Sequence, residues 1–175
     1  MEIKKTIFKN LIEIKFKKYV DSRGSLIKIF NKSNSKKFSN KCYESYISVS
    51  KKGSFRGMHS QKGRHAQDKL IYCVKGKILD IALDLRKKSK TYGKIYKKTI
   101  NSSTSIAILI PKGFVHGVIA LENQTVVITY CSNPYNFKKE FGIRPDSLPF
   151  HKPKIKLIIS KKDKKLQTFN EFMKK

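Results

Sequence analysis

The sequence predicts an all-β domain, a sandwich or barrel, and three observations lead there. Apolar residues fall in short runs of strand length. Glycines and other turn formers sit near the ends of those runs. Helical periodicity is weak until the C-terminal end. Taken in order, residues 11–20 (LIEIKFKKYV) alternate apolar and polar side chains. Asp21-Ser22-Arg23-Gly24 then has turn chemistry, and the strand pattern resumes from Leu26 to Phe30. Residues 32–41 (KSNSKKFSNK) are polar and read as a loop. Further β-type runs are Tyr43 to Val49, Leu70 to Val74, Ile78 to Leu85, Ile106 to Ile110 and Val126 to Tyr130, with Gly53, Gly76, Gly93 and Gly113 near their ends. Near the C-terminus, Leu166, Phe169, Phe172 and Met173 recur at three to four residues and predict a short helix within 161–173. No repeat is visible, and 175 residues form one domain, 1–175, large enough for a core without disulfides or metal.

The formal charge of +28 raises the question of a nucleic-acid partner. The lysines are spread from end to end in pairs such as Lys4-Lys5, Lys17-Lys18, Lys97-Lys98 and Lys174-Lys175. Arginine, which reads phosphates and bases bidentately, is confined to Arg23, Arg56, Arg64, Arg86 and Arg144. Such a bias follows genome composition better than a polyanion groove, so no nucleic-acid partner is expected. The positive field still favours collection of an anionic small substrate. Cys42, Cys73 and Cys131 are odd in number, and the last two lie in apolar runs, as reduced thiols of a cytoplasmic protein do. Met1 is followed by Glu2 and lysines rather than an export signal, and no apolar stretch approaches the ~18 residues that span a bilayer. A soluble cytoplasmic protein with no membrane partner is the expectation.

Two segments concentrate residues suited to chemistry. The first is Arg56-Gly57-Met58-His59-Ser60-Gln61, followed by Ala66-Gln67-Asp68-Lys69-Leu70 and Gly76. The second is Pro111-Lys112-Gly113-Phe114-Val115-His116-Gly117. An R-G-x-H turn upstream of a P-x-G-x-x-H segment resembles the two half-motifs of the cupins, which are double-stranded β-helix jelly rolls. Many cupins hold a metal through an H-x-H pair, a Glu and a later His. Here Arg56 and Gln61 flank His59, no H-x-H exists, and His59 with His116 fall short of the three or four ligands that zinc or iron needs. No metal site is predicted.

Six motifs in order sharpen the resemblance. They are D-x-R-G (Asp21 to Gly24), R-G-x-H-x-Q (Arg56 to Gln61), A-Q-x-K-L (Ala66 to Leu70), D-x-R-x-x-S-x-T-x-G (Asp84 to Gly93), I-P-x-G-F-x-H-G (Ile110 to Gly117) and E-x-x-I (Glu140 to Ile143). Over roughly residues 10–165 the chain resembles the dTDP-4-dehydrorhamnose 3,5-epimerase family. That resemblance implies a cupin jelly roll with a short C-terminal helix, a homodimer, a nucleotide-sugar substrate and no cofactor. It implies epimerisation of a 4-keto sugar at C3, C5 or both, in surface-polysaccharide (O-antigen or capsule) precursor synthesis. The chemistry asks for a base, an opposing acid and a cation at the ketone oxygen, because inversion next to a ketone proceeds through an enolate. By resemblance the base is His59, paired with Asp163, while Lys69 sits by the enolate oxygen and Tyr130 is the acid. Neutral imidazole suits the first role, since the ordinary histidine pKa is about 6.5. Arg23, Arg56, Gln61, His116 and Glu140 match substrate-contacting positions, the arginines being suited to phosphate oxygens.

The departures from the family bear on the substrate. Lys28 stands where the family carries a Glu, Glu44 and Tyr46 replace a Gln and an Asn, and Ser60 replaces an aromatic. The family's Trp after E-x-x-I is absent. These positions line the substrate pocket in the family, which points to the same reaction on a different sugar or nucleotide. Candidates include a dTDP-hexose and, with inversion at one centre, a GDP-linked 4-keto-heptose. The loop after Tyr130 is one residue shorter than the common form, which turns Tyr135 toward the pocket as a second tyrosine. A non-catalytic nucleotide-sugar-binding cupin is the rival class, and retention of His59, Lys69 and Tyr130 speaks against it.

Overall fold

The computed structural model describes residues 1–30 and 42–174. The stretch 32–41, expected to be a loop, lies outside the described residues. Strands dominate: β1 (Glu2–Lys5), β2 (Ile12–Lys15), β3 (Lys18–Asp21), β4 (Gly24–Ile27), β5 (Glu44–Ser50), β6 (Ser54–Gln61), β7 (Lys69–Lys75), β8 (Lys77–Asp84), β9 (Ile95–Asn101), β10 (Ile106–Ile110), β11 (Phe114–Ala120), β12 (Thr125–Cys131), β13 (Glu140–Gly142) and β14 (Ile158–Ile159). One sheet has the order β1-β2-β10-β7-β12-β5, and the other β13-β6-β11-β8-β9 with β14 alongside β6. β3 and β4 form a separate hairpin. Apart from β14, which runs parallel to β6, neighbours distant in sequence pair antiparallel, as in the expected jelly roll. No helix among the described residues is long and apolar enough to cross a membrane.

Three apolar clusters explain why several strands read as continuous apolar runs rather than clean alternations. Ile71, Cys73, Ile108, Ile110 and Val127 of the first sheet meet Ile78, Ala82, Tyr96, Ile100 and Phe114 of the second in the interior. The outer face of the second sheet, including Phe55, Met58, Ile81, Leu83, Val115 and Ile119, is covered by the C-terminal segment through Leu148, Phe150, Leu157, Phe169 and Phe172. The outer face of the first sheet carries Leu70, Tyr72, Ala107, Leu109, Ile128 and Tyr130, covered by Phe16, Ile27, Ile29 and Phe30. Both faces of each sheet are therefore covered over much of their area, the edge strand β5 remaining open, and burying a Leu, Ile or Phe side chain is worth roughly 1.5–3 kcal/mol.

The single helix expected within 161–173 is two helices. Helix α1 (Lys161–Lys164) is capped by Ser160, whose hydroxyl accepts from the Asp163 N–H. Helix α2 (Phe169–Met173) starts at a capping box between Thr168 and Glu171. Two N-caps eight residues apart in sequence each fix a new start, which breaks the periodic run. The run 11–20 is likewise split, into β2 and β3.

Candidate active site

The two sheets part at one end of the sandwich and leave a cavity of about 580 Å³. Its walls include Tyr46, Ser48, Lys69, Val127 and Thr129 from the first sheet, and Arg56, His59, His116 and Val118 from the second. Ser160, Lys162 and Asp163 close it from the C-terminal segment. A smaller cavity of about 190 Å³ shares Tyr46, His59 and Lys69, and adds Glu44, Gln61, Gln67, Tyr135 and Glu140.

His59 and His116 are register partners on β6 and β11, so both side chains point inward. The strands approach closely here. A Cβ at Gly57 would lie 2.5 Å from Gly117 Cα and 2.6 Å from the His116 carbonyl oxygen, and Gly57 has φ +120°. Only glycine fits that contact.

His59 Nε2 is 2.6 Å from Asp163 Oδ1, and Nδ1 is 3.7 Å from Glu140 Oε1. The Asp163 side chain is 6% exposed and that of His59 27%, so the pair reaches the cavity through the imidazole. With Nε2–H donated to Asp163, the lone pair of the neutral ring is on Nδ1. Glu140 is anchored in turn, by the Lys162 ammonium and by the Tyr135 hydroxyl, which donates at 3.1 Å. Burial would raise the Glu140 carboxyl, but Lys162, His59 and Tyr135 outweigh it and hold the pKa below the ordinary glutamate value.

Lys69, at the start of β7, faces this cluster from the opposite sheet. Burial lowers its pKa, while Cys131, Glu140 and Glu44 push it back up. His116 Nε2 is 2.8 Å from Oδ2 of the fully buried Asp80. Arg56 is held at the rim, with Nε donating to Ser50 Oγ at 2.9 Å and Nη2 to the Val49 carbonyl at 3.2 Å. Gln61 accepts from the Asn136 N–H, and the Tyr135 N–H donates to Glu44, so both residues position the loop that carries Tyr135.

The structure thus brings His59, Asp163, Lys69, Arg56, Gln61, His116, Glu140, Tyr135, Glu44 and Tyr46 to the two cavities. Tyr130 departs from the expectation. Along β12, Thr125, Val127, Thr129 and Cys131 are buried, and Thr129 is the cavity residue. Tyr130 alternates to the other face, where its ring stacks on Phe30 with centroids 5.9 Å apart. Arg23 and Lys28 also lie away from the cavities. Both are exposed, and Arg23 folds back on its own hairpin, donating to Asp21 at 2.7 Å.

Asp80, Ser50, Lys162 and Thr129 were not anticipated. Asp80 and Lys162 carried no pattern of their own, and Ser50 is set only by the fold. The β12 alternation was the available signal for Thr129. The Ser160-x-x-Asp163 spacing, an N-cap pattern, was the signal that fixes Asp163.

The chain and its fold are matched by known proteins. The family model described as dTDP-4-dehydrorhamnose 3,5-epimerase matches residues 5–171. The chain belongs to the dTDP-4-dehydrorhamnose 3,5-epimerase family. It is therefore an enzyme of the isomerase class, with the family's nucleotide-sugar type of substrate. A relative with the family's name from Methanothermobacter thermautotrophicus is 31% identical over 179 residues, covering 95% of this chain and 94% of its own. The crystal structure of the family member from Elizabethkingia anophelis superposes with TM-score 0.87 at 31% identity, covering 97% of each chain. The dTDP-6-deoxy-D-glucose-3,5-epimerase of Legionella pneumophila, solved with dTDP-4-keto-L-rhamnose, superposes with TM-score 0.90 at 27% identity, covering 97% of this chain and 93% of that one. These likenesses identify the two-sheet fold as that of the family's jelly-roll epimerases.

Proposed function

We propose that this epimerase inverts C3, C5 or both of a nucleotide-linked 4-keto-6-deoxyhexose or 4-keto-heptose, in the synthesis of surface-polysaccharide precursors in the cytoplasm. The observation that carries the reading is the His59–Asp163 pair facing Lys69 across one cavity. His59 Nδ1 takes the proton from the carbon beside the ketone. The electron pair moves onto the ketone oxygen, where the Lys69 ammonium is placed to receive the developing charge. Asp163 stabilises the imidazolium that results and fixes which nitrogen is the base. Arg56 at the rim suits the diphosphate, with His116 and Gln61 shaping the sugar pocket. Tyr46 and Glu44, in place of the family's Asn and Gln, support a different sugar from the usual one.

The same reading includes a homodimer. Strand β5 is an edge of its sheet, and its Ile47 and Val49 are exposed by 64% and 53%. Val20 and Leu26 on the β3–β4 hairpin are exposed as well. A second copy that covers the edge and receives this hairpin gives Arg23 and Lys28 a route to a cavity. Light scattering is expected to give twice the chain mass; a monomer at micromolar concentration opposes this part.

The function is tested by NMR in D2O with a panel of dTDP-, GDP- and UDP-linked 4-keto sugars, a GDP-linked 4-keto-heptose among them. At least one sugar is expected to take up deuterium at C3 or C5 and to yield the epimer. Binding of a sugar without uptake at any carbon would favour the non-catalytic cupin.

A further inference from the structure

Inversion needs a second proton carrier, on the face of the carbon opposite the base. Tyr130 is not placed to be it. Its ring lies on the outer face of β12, stacked on Phe30 with an interplanar angle of 12° inside an apolar cluster. A phenol there is separated from the cavity by its own sheet. The inward residue beside it is Thr129, too short to cross to a substrate.

Directly across from Thr129 in the β12–β5 register is Tyr46. Register partners share a face, and Tyr46 lines both cavities together with His59 and Lys69. We propose that Tyr46 is the acid that delivers the proton from the face opposite His59. This rests on the epimerase reading and deepens it.

The two sheets supply the opposition. His59 comes from β6 of one, and Tyr46 and Lys69 come from β5 and β7 of the other. Tyr135 also borders the smaller cavity, but its hydroxyl donates to Glu140, which lies beside His59 Nδ1 and therefore on the base's side. Tyr46 is 45% exposed. Partial burial first, then the nearby Cys131, lifts the pKa of its phenol to about 12, against the opposing hydrogen bond of Thr129. The phenol is therefore protonated at neutral pH, as an acid must be. In the step, the carbon–hydrogen bond breaks toward His59 Nδ1 and its pair forms the enolate. The Tyr46 O–H bond then breaks, its proton bonds to the other face of the carbon, and the ketone reforms. Solvent returns a proton to the phenolate and takes one from the imidazolium, so protons balance over the cycle.

The test measures deuterium uptake and inversion separately, by NMR in D2O with a dTDP-linked 4-keto-6-deoxyhexose or whichever panel sugar is active. The unmodified protein is compared with Tyr46→Phe, Tyr130→Phe and Tyr135→Phe, each checked for folding by its melting temperature. Tyr46→Phe is expected to lose inversion by ~10²–10⁴-fold while uptake from the His59 face continues. Tyr130→Phe is expected to invert within about threefold of the unmodified protein, since its hydroxyl contacts nothing in the cavity. Tyr135→Phe is expected to leave the ratio of inversion to uptake unchanged. Inversion at full rate in Tyr46→Phe overturns the proposal, as does a parallel loss of uptake and inversion, or a split confined to Tyr130→Phe. If the unmodified protein shows neither uptake nor inversion with any sugar, the epimerase reading fails first and the proposal falls with it.

Discussion

Asp163→Asn isolates the contribution of one buried carboxylate to the base. The Asp163 side chain is 6% exposed and its Oδ1 is 2.6 Å from His59 Nε2. Asparagine keeps the shape and removes the charge. A hydrogen bond to a charged partner contributes about 1.5–3 kcal/mol net, and tenfold in rate is about 1.4 kcal/mol. Losing that stabilisation of the imidazolium alone slows proton abstraction about 10- to 150-fold. The amide can also turn its NH2 toward Nε2, which moves the ring proton to Nδ1 and blocks the nitrogen that faces the cavity. Tautomer reversal of that kind costs ~10⁴-fold in a serine protease triad. The expected outcome is a fall in kcat of ~10²–10⁴, with deuterium uptake and inversion falling together, because the first step is the one impaired. Folding is expected to change little, since the Ser160 cap uses the backbone N–H of residue 163 and not its side chain. Stopped-time NMR in D2O with melting curves checks both. A variant within threefold of the unmodified protein would refute the dyad and leave Glu140, 3.7 Å from Nδ1, as the group that tunes His59.

Two further substitutions probe the scaffold. Burial alone would raise the Asp84 carboxyl, but hydrogen bonds from Arg86, Thr91 and Ser89 bring its pKa down to about 2. A folded-state pKa below the ordinary value near 3.9 gives stability that is present above about pH 4 and lost as pH falls toward 2. Asp84→Asn is expected to cost on the order of 2 kcal/mol at neutral pH and to flatten the acid limb of the stability curve between about pH 4 and 2; an unchanged acid limb in urea titrations would contradict this. Gly57→Ala forces its Cβ to within 2.5 Å of Gly117 Cα and 2.6 Å of the His116 carbonyl oxygen. Both are backbone atoms, so β6 and β11 must separate, with a loss above ~2 kcal/mol and most of the activity, since those strands carry His59 and His116. A melting temperature within 2 °C of the unmodified protein, to be read against an expected drop of more than ~4 °C, would count against the close approach.

The sequence carried much of this, and its failures have physical causes. Motif spacing located His59, Lys69, His116 and Glu140, although the R-G-x-H segment expected as a turn lies inside β6; His116 is likewise inside β11, while Lys69 and Glu140 open β7 and β13. Asp163 reaches His59 across 104 positions, and only the Ser160 cap marks where it is held. Tyr130 was misplaced because strand side chains alternate with period two, so reading one residue along puts the phenol on the wrong face. The run Val126 to Tyr130 conceals that alternation, since β12 packs against apolar residues on both of its faces. Strands β6, β9 and β11 have no clear run in the sequence for a related reason: β6 and β11 carry the polar and glycine residues of the site, and β9 carries Lys97, Lys98 and Asn101 on a strand at the sheet's edge. Tyr46 was recognised as a pocket position, but its facing of Thr129 depends on a pairing between strands 83 positions apart, which local patterns do not encode.

The central claim, that His59 begins the reaction, is tested most directly by deuterium uptake in His59→Asn. Asparagine fills the site without a basic nitrogen, and Lys69, Asp163 and Tyr46 remain in place around it. The unmodified protein is expected to exchange the proton beside the ketone in D2O, and His59→Asn to show no uptake at any carbon of the same sugar. Uptake at or near the unmodified rate in a folded His59→Asn protein would contradict the account.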